Sequence, residues 1–292
     1  MVKDVIQQLQ QDVALHLTQL IEKRASDARL KEAMLYAVQS GGKRIRPLLT
    51  LAIGASGTST NEATLDLACA LEMIHTYSLI HDDLPGMDDD ELRRGRPTLH
   101  KAFDEATAIL AGDALLTLAF EVAANANLEA NQLVEAVKIL STASGMSGMI
   151  SGQMKDIASE EATITLEEMK EIHREKTGEL LLAAVRLGNL FVLDSKMKEA
   201  FVSYATHFGL AFQIQNDLQD VCWTSEQTGK ETGKDSELSK NTYPSLLGVE
   251  GAKEALASEI SSCKRALEEV AFTPENQQTK TLLVEFLTYL EI

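Results

Sequence analysis

The chain has 292 residues, a hydrophobic fraction of 45% and a formal net charge of −17 at pH 7. The hydrophobic fraction excludes general disorder, and the acidic balance argues against nonspecific binding to nucleic acid or to an anionic membrane surface. Cys69, Cys222 and Cys263 are odd in number and far apart, so the sequence supports neither a disulfide framework nor a zinc site and favours a reducing, cytoplasmic location.

The sequence has the periodicity of helices almost throughout. Apolar residues recur at three- and four-residue steps from Val2 to Ile21 and again from Ala252 to Val270. Runs of good helix formers lie between them, and glycine- or proline-containing breaks fall at 41–42, 54–60, 85–86, 95–97, 229–233 and 273–274. We therefore predict an all-α single domain over residues 1–292 with about ten or more helices. Because charged residues interrupt the long apolar runs, we predict no membrane span.

Two carboxylates end a nearly all-apolar helix. At 100° per residue, Asp82 and Asp83 lie on the polar stripe of this helix, and Asp88 follows in the next turn. Like charges this close raise one another's pKa unless a cation lies between them, and Asp oxygens are hard ligands suited to Mg²⁺. The adjacent Arg93 and Arg94 indicate a ligand that is more negative than the metal neutralises, such as a diphosphate. The alternative is a solvated acidic loop neutralised by its own arginines.

A second acidic stripe lies on the helix predicted over residues 209–221. Gln213, Asn216, Asp217 and Asp220 share one face, opposite a face of apolar residues. One such helix is typical of an exposed amphipathic element. Two helices that each place Asp at neighbouring positions indicate carboxylate patches around a common cavity, which could hold two or three Mg²⁺ ions and a diphosphate.

Six motifs then give the chain a family resemblance. They are GGKRIRP (41–47), HDDLPGMDDDELRRGRPT (81–98), GQMKD (152–156), EKTGEL (175–180), FQIQNDLQD (212–220) and GKETGKDSELSKNTYPSL (229–246). In this order they resemble the trans-isoprenyl diphosphate synthases, the family of farnesyl and geranylgeranyl diphosphate synthases. The resemblance implies the isoprenoid synthase fold, an all-α bundle around a deep central cavity, in a homodimer. It also implies transfer of an allylic diphosphate's prenyl group to isopentenyl diphosphate with Mg²⁺.

The resemblance assigns a role to individual positions. It implies metal ligation by Asp82, Asp83, Asp88 and Asp217, most directly by Asp82 and Asp88. The isopentenyl diphosphate pocket is expected to contain Gly42, Lys43, Arg46, His75 and Arg94. Residues expected at the allylic diphosphate and its cation are Arg93, Lys176, Thr177 and Gln213, with Lys230 and Lys240 closing over the leaving group.

Product length is expected to depend on the residues before the first Asp motif. Ser78 lies one helical turn before Asp82, and Tyr77 precedes it. An aromatic ring there should block the growing tail, and its combination with a DDxxxxD motif resembles the bacterial farnesyl (C15) type. Geranylgeranyl or longer products are the alternative.

The second motif departs from the family pattern, because Asn216 stands where the first Asp of DDxxD is usual. We expect an active enzyme, since the other motifs are intact. The alternative is a weakly active or regulatory subunit of a heteromeric synthase. A terpene cyclase would share the fold but would not need the cations of GGKRIRP.

Overall fold

The computed structural model describes residues 2–55, 62–159, 162, 164–223 and 241–291. These residues form an all-α fold, as predicted, with a single pair of two-residue strands, β1 (Leu92–Arg93) and β2 (Arg96–Pro97). The first helices are α1 (Val2–Arg24), α2 (Ala28–Val38), α3 (Ile45–Gly54), α4 (Glu62–Asp82), α5 (Leu99–Ala102), α6 (Glu105–Ala124) and α7 (Ala130–Ser144). They are followed by α8 (Met149–Ser159), α9 (Leu166–His173), a π-helical turn (Arg174–Gly178), α10 (Glu179–Gly188), α11 (Ser195–Cys222), α12 (Tyr243–Glu268), α13 (Gln277–Phe286) and a 3₁₀ turn (Leu287–Leu290).

Several helices begin at a side chain that accepts a backbone N–H of the first turn. Asp27, Asp104 and Asp194 do this for α2, α6 and α11. Thr165 and Thr242 form capping boxes at the starts of α9 and α12. Short polar side chains at these positions satisfy N–H groups that have no partner inside the helix, so the sequence itself sets these boundaries.

The chain divides into two compact units, Met1–Leu51 with Thr60–Lys138 and Ala52–Ser59 with Ile139–Ile292. In the first unit, α4 packs along α6, and α4 is buried on most of its surface. A side chain at Gly112 would collide with the ring of His81, so the glycine permits this close approach. The prediction of a single domain around a deep central cavity remains a prediction.

Among the described residues, α6 alone is long and apolar enough to cross a membrane, with a mean hydropathy of 1.6. Half of its apolar window is buried inside the protein, where it packs against α4. Core helices meet the same criterion of length and composition, so this helix is weak evidence for a span.

The second unit is built on α11, which packs along α12. Phe201, Tyr204 and Phe208 are fully buried on α11, and the last two rings stack with centroids 5.6 Å apart. Gly248 has φ +72°, which bends α12 near its start. The backbone N–H of Tyr243 in the first turn of α12 donates to Asp217, which places this polar residue of α11 against the start of α12.

Candidate active site

The first acidic cluster forms where α4 ends. The backbone N–H of Asp88 donates to the carbonyl of Asp82 at 2.9 Å, which brings the turn back to the helix end. Asp82 is partly exposed and Asp88 is exposed, whereas Asp83 is only 3% exposed. Asp82 and Asp88 therefore present carboxylates outward from one place, and Asp83 points into the protein.

Arg93 holds the buried carboxylate of this cluster. Its Nε donates to Asp83 at 2.9 Å, a second guanidinium nitrogen also contacts Asp83, and Asp90 lies 3.3 Å from the same nitrogen. Burial alone would lower the pKa of Arg93, but the hydrogen bond and the charge of Asp83 outweigh burial and raise it. Arg93, predicted to contact the allylic diphosphate, is thus part of the acidic cluster itself.

Two hydrogen bonds from Thr98 hold the acidic loop of residues 88–91, and the sequence analysis did not predict them. We call these hydrogen bonds the loop latch. The Thr98 hydroxyl donates to the carbonyl of Asp90 at 2.8 Å, and the Thr98 N–H donates to the carbonyl of Glu91 at 3.0 Å. Because the hydroxyl proton is used in this way, its oxygen can accept from His100 Nδ1, 3.3 Å away. Thr98 and His100 are both buried. The sequence PTLH (97–100), directly after the arginines, is the feature from which these hydrogen bonds could have been predicted.

The GGKRIRP segment forms a tight loop that needs its glycines. Gly41 and Gly42 have φ values of +82° and +106°, which favour glycine. A side chain at Gly42 would also collide with the guanidinium of Arg94, which donates to the carbonyl of Gly41. Two motifs that lie far apart in the sequence meet here, since Gly41 and Arg94 are 53 residues apart.

Arg46 and His75 form a partly buried polar pair in the same unit. Arg46 Nη1 lies 3.4 Å from His75 Nε2. Burial, reinforced by the charge of Arg46 and Arg94, holds the pKa of His75 well below its usual range, so the neutral ring accepts from the guanidinium. Burial lowers the pKa of Arg46 to about 10, which leaves it charged at neutral pH. Its buried Nε has no hydrogen-bond partner among the described residues. Lys43 is exposed on the loop.

A buried ion pair anchors this loop from behind, and sequence reasoning did not find it. Arg44 Nη1 lies 2.6 Å from Glu72 Oε1, with side-chain exposures of 6% and 2%. A second nitrogen of Arg44 donates to the carbonyl of Val38. Glu72 was visible as a polar residue in an apolar helix, but its partner comes from another motif. The pair ties the loop to both α2 and α4.

The two residues predicted to set chain length both lie on α4. Tyr77 is 5% exposed, and burial raises the pKa of its hydroxyl to about 12. That hydroxyl is buried without a hydrogen-bond partner in the described part of the chain, and the ring meets His81 edge-on with centroids 5.7 Å apart. Ser78 donates to the carbonyl of His75 at 2.9 Å.

In the second unit, the site is organised around the π-helical turn. A side chain at Gly152 of α8 would collide with the backbone of Lys176 and Glu175, so this glycine lets α8 lie directly against the turn. On the other side, a side chain at Gly209 would come within 3.1 Å of the Gly178 Cα. A π turn widens the helix by one residue, and here the glycines of two neighbouring helices make room for it.

Two charged side chains of α8, Lys155 and Asp156, form ion pairs with the π-helical turn. Asp156 accepts from Lys176 Nζ at 2.6 Å, which orients the predicted diphosphate-facing lysine. Lys155 bridges Glu171 at 2.7 Å and Glu175 at 2.8 Å. The motif GQMKD therefore supplies one close approach and two ion pairs to the motif EKTG. These contacts give a physical reason for the presence of both motifs in the chain, which the sequence analysis did not provide.

Thr177, Gln213 and Asp217 form a chain of hydrogen bonds. The Thr177 hydroxyl donates to Gln213 Oε1 at 3.0 Å, and Gln213 Nε2 donates to Asp217 Oδ1 at 3.2 Å. The other oxygen, Asp217 Oδ2, accepts from the backbone N–H of Tyr243 at 3.0 Å. The predicted pair Thr177 and Gln213 is thus brought together, and Asp217 adjoins it.

Comparisons with known proteins identify the family of this chain. A family model described as polyprenyl synthetase matches residues 27–274. The chain belongs to the polyprenyl synthetase family. The farnesyl diphosphate synthase of Geobacillus stearothermophilus is 44% identical over 270 residues, 91% of each chain, and that of Escherichia coli (strain K12) is 47% identical over 82% of each.

A solved structure extends the family likeness to three dimensions. The geranyltransferase of Helicobacter pylori, complexed with magnesium and isoprenyl diphosphate, has a TM-score of 0.83 and 34% identity, with 95% of each chain covered. The geranyltransferase of Legionella pneumophila gives a TM-score of 0.85 and 37% identity over 98% of each chain. The expected all-α fold of the family is therefore confirmed.

A divalent cation needs oxygen donors that it can reach, and the four predicted metal-binding carboxylates differ in this respect. Asp82 and Asp88 fit, because both carboxylates reach solvent at the end of α4. Asp83 and Asp217 fit less well, since Asp83 is paired with Arg93 and both oxygens of Asp217 accept protein hydrogen bonds. Within the described ranges, no three His, Cys, Asp or Glu side chains lie close enough to hold a metal ion by themselves. Lys230 and Lys240 lie outside the described residues.

Proposed function

We propose that this chain condenses isopentenyl diphosphate with dimethylallyl and geranyl diphosphates and releases farnesyl diphosphate. The observation that carries the proposal is the likeness to farnesyl diphosphate synthases at 44–47% identity over most of the chain. Geranylgeranyl synthases are also similar, at 42–46% identity, and they keep a longer product as the second candidate. The geometry of the two units supports the prenyl transfer that both candidates share.

The basic pocket of the first unit suits isopentenyl diphosphate. Lys43, Arg46 and Arg94 supply three positive charges, and the buried Nε of Arg46 is a donor in want of an acceptor within the described residues. His75 is held neutral, so it orients the Arg46 guanidinium without adding charge. A diphosphate that must stay attached to its carbon is better bound by such cations than by a metal that would help it leave.

The carboxylates of Asp82 and Asp88 are the proposed holders of Mg²⁺. When bound there together with the allylic diphosphate, Mg²⁺ would neutralise charge on the leaving group, as a Lewis acid does. Arg93 adds a guanidinium beside this site and keeps Asp83 from repelling the same diphosphate. We propose two or three ions in the working enzyme, by analogy with the Asp-rich second motif.

The second unit supplies groups suited to a developing allylic cation. Lys176, oriented by Asp156, offers a positive charge to the departing diphosphate, and Lys230 and Lys240 are proposed to do the same. Thr177 and Gln213 offer oxygen atoms and no positive charge to the carbon that becomes positive. The double bond of isopentenyl diphosphate then attacks this carbon and forms the new C–C bond, which moves the positive charge onto the isopentenyl unit. Loss of a proton from the carbon beside that charge forms a new double bond, and the departing diphosphate takes this proton, because these motifs contain no other evident base.

Tyr77 is the proposed limit on product length. We expect Tyr77→Ala to shift the product from C15 to longer chains, because it removes a buried aromatic ring from α4. Chromatography of the dephosphorylated products measures this. Tyr77→Phe is the matched control, since it keeps the ring and removes only a hydroxyl that has no hydrogen-bond partner among the described residues, and its product should stay at C15. An unchanged C15 product from Tyr77→Ala would show that Tyr77 does not limit product length.

The assay uses purified full-length chain with Mg²⁺, dimethylallyl diphosphate and isopentenyl diphosphate. The expected product is farnesyl diphosphate, from a cytoplasmic homodimer. Asn216→Asp should change the Mg²⁺ dependence without creating an activity that the natural chain lacks. If the natural chain gives no product at any Mg²⁺ concentration, the proposal fails and a regulatory subunit becomes the better account.

A further inference from the structure

One run of hydrogen bonds crosses the π-helical turn, α11 and the start of α12. It passes from Thr177 to Gln213, from Gln213 to Asp217, and ends where the Tyr243 N–H meets Asp217. Asp217 is 4% exposed, so its oxygens meet protein rather than bulk water. The residues predicted to face the allylic cation are thus connected to the first turn of α12.

The direction of each hydrogen bond follows from Asp217. A carboxylate only accepts, so the atom of Gln213 that faces Oδ1 must be the amide nitrogen, Nε2. This fixes the other end of the amide, Oε1, toward Thr177, and the Thr177 hydroxyl has to donate. With its proton directed at Gln213, the hydroxyl oxygen presents its lone pairs elsewhere.

We propose that Asp217 is a positioning residue that sets the direction of the Thr177 hydroxyl through the amide of Gln213. The inference rests on the proposed prenyl transfer, in which the Thr177 oxygen faces a carbon that becomes positive. A preset oxygen dipole stabilises that carbon without reorienting during the reaction. The reversed hydroxyl would present its proton and oppose the developing charge.

Helix capping alone does not require a carboxylate at this position. An amide oxygen accepts the Tyr243 N–H as well as a carboxylate oxygen does. A side-chain amide at position 217 could not accept from both Tyr243 and Gln213, because its second polar atom is a donor. Of these two hydrogen bonds, the one from Gln213 is therefore the one that requires a carboxylate at position 217.

The test is a cycle of Asp217→Asn, Gln213→Glu and the double variant. The amide introduced by Asp217→Asn should donate to Gln213, reverse the Gln213 amide and lower kcat on the order of tenfold to a hundredfold, with KM for isopentenyl diphosphate nearly unchanged. Gln213→Glu alone places two carboxylates together and should be at least as impaired.

The double variant exchanges the two side-chain types and keeps the total charge of the natural chain. The carboxylate introduced at position 213 can accept both from the amide introduced at position 217 and from the Thr177 hydroxyl, so the hydroxyl keeps its natural direction. We expect kcat of the double variant to rise about tenfold above that of Asp217→Asn.

Stability separates positioning from a structural role. Asp217→Asn keeps the acceptor for Tyr243, so its unfolding midpoint should match that of the natural chain. Asp217→Ala removes the acceptor from a buried N–H and should unfold more easily. A fall in kcat that tracks the loss of stability across these variants would overturn the inference, as would a double variant no faster than Asp217→Asn.

A measurement without substrate keeps this inference distinct from the proposed function. In ¹H–¹⁵N spectra, the side-chain amide of Gln213 should shift in Asp217→Asn, and its protons should exchange faster with water. An unchanged amide would refute the positioning role whether or not the chain makes prenyl diphosphates. A shifted amide in a natural chain that makes no coupled product would instead leave the geometry standing and reject the proposed function.

Discussion

The two acidic clusters hold their buried carboxylates in different ways. In the first unit, Asp83 is compensated by a cation, Arg93, and Glu72, which lies earlier on α4, by Arg44. In the second unit, two neutral groups donate hydrogen bonds to Asp217, the Gln213 amide and the Tyr243 backbone N–H. A cation cancels the charge of a carboxylate, whereas neutral donors stabilise the charge and keep it.

This difference matches the work proposed for each unit. The first unit is proposed to bind diphosphates, and its buried acids are already balanced by arginines, while Asp82 and Asp88 reach solvent. The second unit is proposed to face a developing cation, where oriented oxygens are favourable. Lys176, whose ammonium Asp156 holds, is proposed to act on the departing diphosphate rather than on this cation.

The largest expected loss of stability comes from removing a cation that compensates a buried carboxylate. Arg44→Met should destabilise the protein by about 3–5 kcal/mol, because Glu72 would remain buried and charged without its partner. Urea denaturation followed by circular dichroism measures the free energy of unfolding. The control is the double variant Arg44→Met with Glu72→Leu, which removes both charges and should regain most of the loss. A double variant as unstable as the sum of its singles would show that the pair is not what holds the loop.

His173 of the second unit should make the fold sensitive to acid, because its ring is buried and neutral. His173 stacks on Tyr243 with ring centroids 5.8 Å apart, and burial lowers the pKa of His173 from 6.5 to about 4. In the unfolded chain the His173 ring therefore binds a proton below pH 6.5, whereas in the folded chain it binds one only at about pH 4. Stability from this residue is complete above pH 6.5 and falls as pH drops toward 4, by on the order of 3 kcal/mol.

His173→Phe isolates that contribution, since it keeps a ring against Tyr243 and cannot take a proton. We expect similar unfolding free energies for the two proteins at pH 7.5 and a flatter decline for His173→Phe between pH 6.5 and 4.5. Parallel declines would place the acid sensitivity elsewhere, for example at His75, whose pKa burial also lowers.

Local spacing predicted much of this molecule, and distant partners explain what it missed. The polar stripe of α4 and the shared face of Gln213 and Asp217 follow from 100° per residue, and both are present. Arg44 with Glu72 and Lys176 with Asp156 are pairs separated by 28 and 20 residues, which only tertiary packing brings together. The π-helical turn was also not predicted, and the close approach of two other helices to it, at Gly152 and Gly209, is likewise a matter of tertiary packing.

The smallest expected effect concerns the loop latch of the first cluster. Thr98→Val keeps the shape of a side chain that is 1% exposed but removes the hydroxyl that donates to the carbonyl of Asp90 at 2.8 Å. It should cost about 1–2 kcal/mol of stability by leaving that carbonyl and His100 Nδ1 unsatisfied. If the latch also sets the loop that carries Asp88, the Mg²⁺ concentration for half-maximal activity should rise several-fold. Thr98→Ser, which keeps the hydroxyl, should leave the Mg²⁺ dependence unchanged. An equal Mg²⁺ dependence in both variants would show that arginine pairing, not the latch, positions the outward carboxylates.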